Sequence, residues 1–136
     1  MARSRGFLFD TNAFLFVVSR SDRLAADRIA AIGEAARWVS QVCAIEIAIK
    51  QGLGKLALPP PFQTSFAHAI DEAVWGVGAD LLPVEIAHIE TLSHLPLHHR
   101  DPFDRLIIAQ ALSENLTVVT RDRAFALYPG LNVYEI

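Results

Sequence analysis

The chain has 136 residues, 52% of them hydrophobic and 20% charged, with a formal net charge of −3. That length suits one domain, residues 1–136, with a substantial core, and the composition excludes a disordered chain. No apolar run approaches the roughly 18 residues that span a bilayer, and the apolar stretch after Arg3 and Arg5 reaches Asp10 too soon for a secretory leader. With Cys43 as the single cysteine, an internal disulfide is excluded and a reducing compartment is favoured. The expected setting is therefore cytoplasmic, with no membrane partner.

The first predicted element is a short apolar strand, Gly6-Phe7-Leu8-Phe9, that ends in the carboxylate of Asp10. A short helix follows over Asn12 to Val18. Ser21 and Asp22 suit the cap of a second helix, in which Leu24, Ala25, Ile29 and Ile32 recur at helical spacing. Arg37 to Val42 reads as the second strand. The next helix carries Ile45, Glu46, Ile49 and Lys50 and stops near Gly52 and Gly54. Pro59-Pro60-Pro61 is a loop on this reading, because proline lacks the N–H that helices and sheets need. A helix runs from about Thr64 to Val74. Leu81 to Val84 is a short strand with its proline at an edge or bulge. Ile86 to Leu92 is helical, Leu95 to Phe103 is a loop held by Pro96 and Pro102, and Asp104 to Glu114 is a strongly patterned helix. Leu116 to Thr120 is a buried-type strand, followed by a turn of helix and a last strand over Asn132 to Ile136.

Strands alternate with helices, and the strands are continuous apolar runs. That pattern predicts an α/β fold with a mainly parallel sheet covered on both faces. Ligands of such sheets bind outside the carboxyl ends of the strands. Asp10 follows one strand directly and Asp122 closely follows another. Glu46 lies in the early turns of the helix after the Trp38 strand, and Asp104 opens the helix that leads into the Val118 strand. All four acids are thus expected at one sheet edge.

Clustered carboxylates repel by about 4 kcal/mol per pair at about 4 Å and an effective dielectric of about 20. A shared proton, basic neighbours or a divalent cation must compensate. A hard cation such as Mg²⁺ or Mn²⁺ suits oxygen donors, and it both acidifies water and neutralises charge on a phosphate. Zinc fits less well, since one cysteine and five histidines show no ligand spacing. Each acid also has an ordinary reading. Asp10 can cap the following helix, Glu46 can pair with Lys50 at i+4, Asp104 can favour a helix dipole, and Asp122 can belong to a surface turn. Asp101 reads as the cap of its helix and not as a ligand. Ten of the 12 basic residues are arginine, and Arg100, Arg105, Arg121 and Arg123 lie near Asp104 or Asp122 in sequence. Arg105 and Arg121 are the candidate phosphate contacts, with surface ion pairs as the ordinary alternative.

Four blocks resemble the PIN-domain ribonucleases, and within them the VapC-like toxins of bacterial type II toxin–antitoxin pairs. They are Phe9-Asp10-Thr11-Asn12; Glu46-Ile47-Ala48-Ile49-Lys50 with Gly54-Lys55-Leu56; His99-Arg100-Asp101-Pro102-Phe103-Asp104-Arg105 with its apolar helix; and Val119-Thr120-Arg121-Asp122. The resemblance implies a three-layer α/β/α sandwich and a metal-binding quartet of Asp10, Glu46, Asp104 and Asp122, with Thr11 and Thr120 as neighbouring hydroxyls. It further implies RNA phosphodiester cleavage with Mg²⁺ or Mn²⁺, a homodimer and a cognate antitoxin. Cys43 departs from the pattern: it stands three residues before Glu46, where relatives often have serine or threonine, and a thiol is a poorer helix cap.

Two other functions remain open at this point. A haloacid-dehalogenase-type phosphatase also begins with a strand ending in aspartate, but it requires a second aspartate where this chain has Asn12. A non-catalytic PIN-like module would bind RNA or protein without cutting. Among the remaining residues, His98 and His99 read as loop polar groups, His68 as packing, and Trp38 and Trp75 as core. Ala13 to Val18 is apolar nearly all round, which hints at a partner surface on one side.

Overall fold

A computed structural model describes residues 4–19 and 23–136. Five strands form one sheet in the order β3-β2-β1-β4-β5. They are β1 (Phe7–Phe9), β2 (Arg37–Ser40), β3 (Asp80–Leu82), β4 (Thr117–Thr120) and β5 (Asn132–Glu135). Every neighbouring pair is parallel, with Phe9 opposite Val39 on one side and Val119 on the other. The helices are α1 (Thr11–Ser19), α2 (Arg23–Ala30), α3 (Gln41–Gly52), α4 (Pro61–Thr64), α5 (Phe66–Gly76), α6 (Ile86–Ser93) and α7 (Pro102–Glu114), and a 3-10 turn spans Arg123–Leu127. Consecutive residues of a strand face opposite sides of its sheet. Leu8 and Phe9 are both fully buried, as are Val118 and Val119, so both faces of the sheet are covered and the expected sandwich is formed. Each such side chain contributes about 1.5–3 kcal/mol on burial.

The central pair sets the position of the site. The chain builds outward from β1 through β2 to β3, then crosses back to lay β4 on the other side of β1. The strand order reverses between β1 and β4, and a parallel sheet opens a crevice at the carboxyl ends of such a pair. Asp10 and Thr120 stand there, and the Asp10 N–H donates to the Val119 carbonyl at 3.1 Å. Because α7 runs back from the end of the preceding loop to feed β4, its first turn, with Asp104, returns to that same edge.

Several boundaries differ from the sequence expectation for local reasons. β2 ends at Ser40 and not Val42, because Ser40 is the N-cap of α3 and accepts from the Val42 N–H. The Ser40 hydroxyl also donates to the buried Gln110 of α7, whose amide donates to the Pro83 carbonyl at 3.2 Å. Pro61 is not loop but the first residue of α4, where a missing N–H costs nothing. Ser65, at φ −144° and ψ 60°, divides the single helix expected over Thr64 to Val74 into α4 and α5. β3 stops before Pro83, and α7 starts at Pro102, two residues ahead of Asp104, with Asp101 capping it through the Phe103 N–H at 2.8 Å. The proposed caps Ser21 and Asp22 lie outside the described residues.

Gly6 shows how tightly β1 is inserted. Its φ is +152°, and a Cβ there would sit 2.5 Å from the Ala36 carbonyl oxygen and 2.8 Å from the Trp38 ring. Replacing Gly6 with alanine is expected to cost about 2 kcal/mol or more through strain at this position and displacement of β2. Urea unfolding that gives the same midpoint for both proteins would refute this.

Candidate active site

Asp10 is 3% exposed. One of its carboxylate oxygens, Oδ1, accepts the Ala13 N–H at 2.8 Å and so caps α1. The other, Oδ2, accepts the Thr120 hydroxyl at 2.5 Å. The sequence left cap and site residue as alternatives for Asp10, and the two oxygens make both compatible. Glu46 is also buried, at 4% exposure. Its Oε1 accepts the Thr11 hydroxyl at 2.6 Å, and its Oε2 pairs with the Lys50 ammonium one turn on. The two hydroxyls thus each hold a carboxylate.

Asp122 follows β4 and caps the 3-10 turn, its Oδ1 accepting the Ala124 N–H at 2.9 Å. Its own N–H donates to the Thr120 hydroxyl oxygen at 2.9 Å, which locks it to the side chain that holds Asp10. Asp104 is half-buried in the first turn of α7. The four acids feel one another. Burial, then Asp122 and Glu46, push the Asp10 carboxyl up to about 6, against hydrogen bonds from Thr120 and Ala13. Burial, then Asp101, Asp10, Glu46 and Asp122, push Asp104 up to about 7. For Asp122 burial acts upward, but the Ala124 N–H and His99 outweigh it and hold the carboxyl below its usual range. The Lys50 ammonium is raised, chiefly by its hydrogen bond to Glu46.

His99 joins this group although the sequence reading placed it among loop polar groups. Its Nε2 lies 2.9 Å from Asp122 Oδ2, and among the described residues His99, Asp104 and Asp122 can present ligand atoms within 4.8 Å of one another. No sequence spacing signals this, because the two partners are 23 residues apart and meet only through the fold. Other side chains are engaged differently from expectation. The Arg105 guanidinium donates to the Pro96 and Leu95 carbonyls at 2.8 and 3.2 Å, bracing the loop before α7. Arg121 lies over the Phe16 ring at 4.0 Å. Cys43 is not the helix cap, since Ser40 has that role; its buried thiol donates to the Phe9 carbonyl at 3.5 Å, and burial raises its pKa. His68 does not pack in the core but forms an exposed pair with Glu72, and Trp75 is 82% exposed because its helix turns that face to solvent. The outer side of α1 lines a mostly apolar groove of about 550 Å³ with Leu56, Leu58 and Pro59.

The donor set is one of carboxylates, with an imidazole beside it, and two of the carboxyls are raised by burial and mutual repulsion. Hard divalent cations fit such a set. The sequence profile of the PIN domain matches residues 7–131, and the chain belongs to the PIN-domain family. Its backbone is similar to three solved toxin–antitoxin structures. VapBC2 from Rickettsia felis, bound to a promoter DNA fragment, gives a TM-score of 0.71 at 14% identity over 96% of this chain and 98% of that one. DNA-bound VapBC from Salmonella typhimurium gives 0.69 at 17% identity over 99% and 98%. A toxin–antitoxin complex from Klebsiella pneumoniae gives 0.61 at 22% identity over 95% and 98%. At these identities the likeness is one of fold. Sequence comparison with curated proteins finds no match.

A carboxyl whose pKa is raised by folding favours the folded state at low pH, and that contribution is lost as pH rises through the folded value. For Asp10 and Asp104 the window runs from about 4 to about 7. Freed of divalent ions, the protein should therefore lose melting temperature across that window, and Asp104→Asn should flatten the slope and raise the melting temperature at neutral pH. Thermal melts in chelator at stepped pH check this; an unchanged slope in Asp104→Asn would refute it.

Proposed function

We propose that this protein is a divalent-metal-dependent ribonuclease that hydrolyses RNA phosphodiester bonds, acting as the toxin of a toxin–antitoxin pair. What supports the reading is a set of acids at the carboxyl edge of a PIN-family sheet: Asp10 and Asp122 after β1 and β4, Asp104 in the first turn of α7 within reach of Asp122, and Glu46 of α3 tied to Thr11. These four carboxylates would hold Mg²⁺ or Mn²⁺, and the ion supplies Lewis-acid charge to the phosphate and lowers the pKa of water.

The chain's own residues set the rest. Thr11 and Thr120 orient Glu46 and Asp10 by donating to one oxygen of each. Asp10 and Glu46 are the buried members of the set, and Asp104 and Asp122 the half-buried ones. In the reaction a water oxygen bonds to phosphorus, the opposite phosphorus–oxygen ester bond breaks, and the departing oxygen gains a proton. Arg121, exposed just after β4 with its guanidinium over the Phe16 ring, is the proposed contact to a non-bridging oxygen; Arg105 braces the loop before α7. An antitoxin and a second copy of the chain are the proposed partners, in line with the neighbours' assemblies for the former, and the apolar groove beside α1 is a surface suited to an antitoxin's apolar segment.

Asp10→Asn and Asp104→Asn keep shape and remove charge. Each is expected to lower RNA cleavage in Mg²⁺ or Mn²⁺ by about a hundredfold or more, the scale seen when one transition-state electrostatic group is lost, while both remain folded by circular dichroism. Cleavage of an RNA panel at wild-type rate by either variant, or undiminished cleavage in chelator, would sink the proposal. Metal binding without cleavage of any RNA would favour a non-catalytic module.

A further inference from the structure

His99 stands outside the acidic quartet, three residues before α7 begins at Pro102. Its side chain is 9% exposed. The ring stacks on Tyr128 with centroids 5.5 Å apart and planes 14° from parallel, and meets Phe125 edge-on at 5.0 Å. Both aromatic partners are buried in the core. The ring is therefore clamped from two sides before any polar contact is counted. Its Nδ1 lies 3.0 Å from the Tyr128 hydroxyl and its Nε2 lies 2.9 Å from Asp122 Oδ2.

These contacts fix the proton. An ionised carboxylate only accepts hydrogen bonds, so the Nε2 facing Asp122 must carry the hydrogen. In the neutral ring Nδ1 is then the acceptor, and the Tyr128 hydroxyl donates to it. The other Asp122 oxygen is already held by the Ala124 N–H. Among the contacts described, His99 is the side chain that meets Oδ2, and Asp104 can present a ligand atom within 4.8 Å of both.

We infer that His99 is a positioning residue: clamped by Tyr128 and Phe125, its Nε2–H orients the Asp122 carboxylate and so sets the affinity of the site for a divalent cation. This rests on the reading of the quartet as a metal centre. Partners that orient metal-binding carboxylates typically change metal affinity by about 10–100-fold when removed.

Three variants separate the donor from the packing. His99→Phe keeps a ring for the aromatic clamp and removes the donor. His99→Gln gives up the ring but places an amide N–H near the position of Nε2. Tyr128→Phe removes one hydroxyl. Binding of Mn²⁺ to metal-free protein is read by electron paramagnetic resonance, and the tautomer of His99 by ¹⁵N chemical shifts of the imidazole. The expected result is the Nε2–H tautomer in the wild type, a loss of about tenfold or more in Mn²⁺ affinity for His99→Phe, and an affinity near wild type for His99→Gln. Tyr128→Phe should loosen the tautomer preference with a smaller loss. RNA cleavage should fall with affinity and recover as Mn²⁺ is raised. Wild-type affinity in a folded His99→Phe protein, an Nδ1–H tautomer in the wild type, or ¹⁴N coupling of an imidazole to the bound Mn²⁺ would each overturn the inference, the last by making His99 a direct ligand. If the wild type binds Mn²⁺ with this dependence on His99 and cleaves no RNA, the nuclease reading fails and the inference stands. A wild type that binds no Mn²⁺ overturns both.

Discussion

The rest of the structure is arranged around the burial of like charges at the carboxyl ends of β1 and β4. Asp10 is nearly inaccessible to water, and Asp104, Glu46 and Asp122 all act on it or on one another. Removing a carboxylate from water is costly unless hydrogen bonds or opposite charge compensate it. The fold provides part of that compensation through fixed donors. The Thr120 hydroxyl and Ala13 N–H serve Asp10, the Thr11 hydroxyl and Lys50 ammonium serve Glu46, and the Ala124 N–H and His99 serve Asp122. A parallel sheet is well suited to this, because the strand ends deliver acids to one edge while the helices that follow begin there and present free N–H groups.

That geometry explains why capping and site formation coincide. Asp10 and Asp122 each give one oxygen to the N–H of a following turn and keep the other for the edge. Asp101 is confined to capping α7, accepting from Phe103 and Asp104, and in doing so it fixes the turn on which Asp104 stands. A cap is worth about 1 kcal/mol, so the same bonds that start α1, α7 and the 3-10 turn also hold the carboxylates against their mutual repulsion. Loss of a cap would therefore move a carboxylate at the sheet edge as well as fray a helix.

The edge placement of Asp10, Asp104 and Asp122 was legible in the sequence because strand-terminal aspartates and a first-turn acid are local features that a parallel fold brings to one edge. The division between Asp104 and Asp101 was equally local, resting on Asp-Pro-Phe-Asp. What escaped were contacts made by tertiary packing. His99 reads as one of two loop histidines until β4 and the 3-10 turn bring Asp122 and Tyr128 to it. Arg105, next to Asp104, looks like a phosphate contact until the preceding loop folds back so that its carbonyls meet the guanidinium. Trp75 and His68 share α5, whose buried residues are Ala69, Ile70 and Val74; large side chains beside that stripe cannot be assigned to core by hydropathy alone. The helix boundary at Ser40 was missed because Val42 and Cys43 suit a strand as well as they suit a buried helix face.

The compensation is uneven, and that unevenness bears on where a cation is needed. Lys50 brings a full positive charge to Glu46, and His99 brings a donor to Asp122 from outside the quartet. Among the described residues Asp10 has neutral donors, and Asp104 has the repulsion of Asp101 added to that of the quartet. Burial first, and then these repulsions, raise both carboxyls. On the proposed reading a divalent ion would offset the repulsion on both carboxyls. Lys50 has a further consequence there. Its ammonium is drawn not only to Glu46 but toward Asp101 and Asp104, so it competes for the same field that would attract the ion. On the proposed reading, a bound ion and the Lys50 ammonium would therefore share the field of the same carboxylates, and the affinity would depend on Lys50 as well as on the acids.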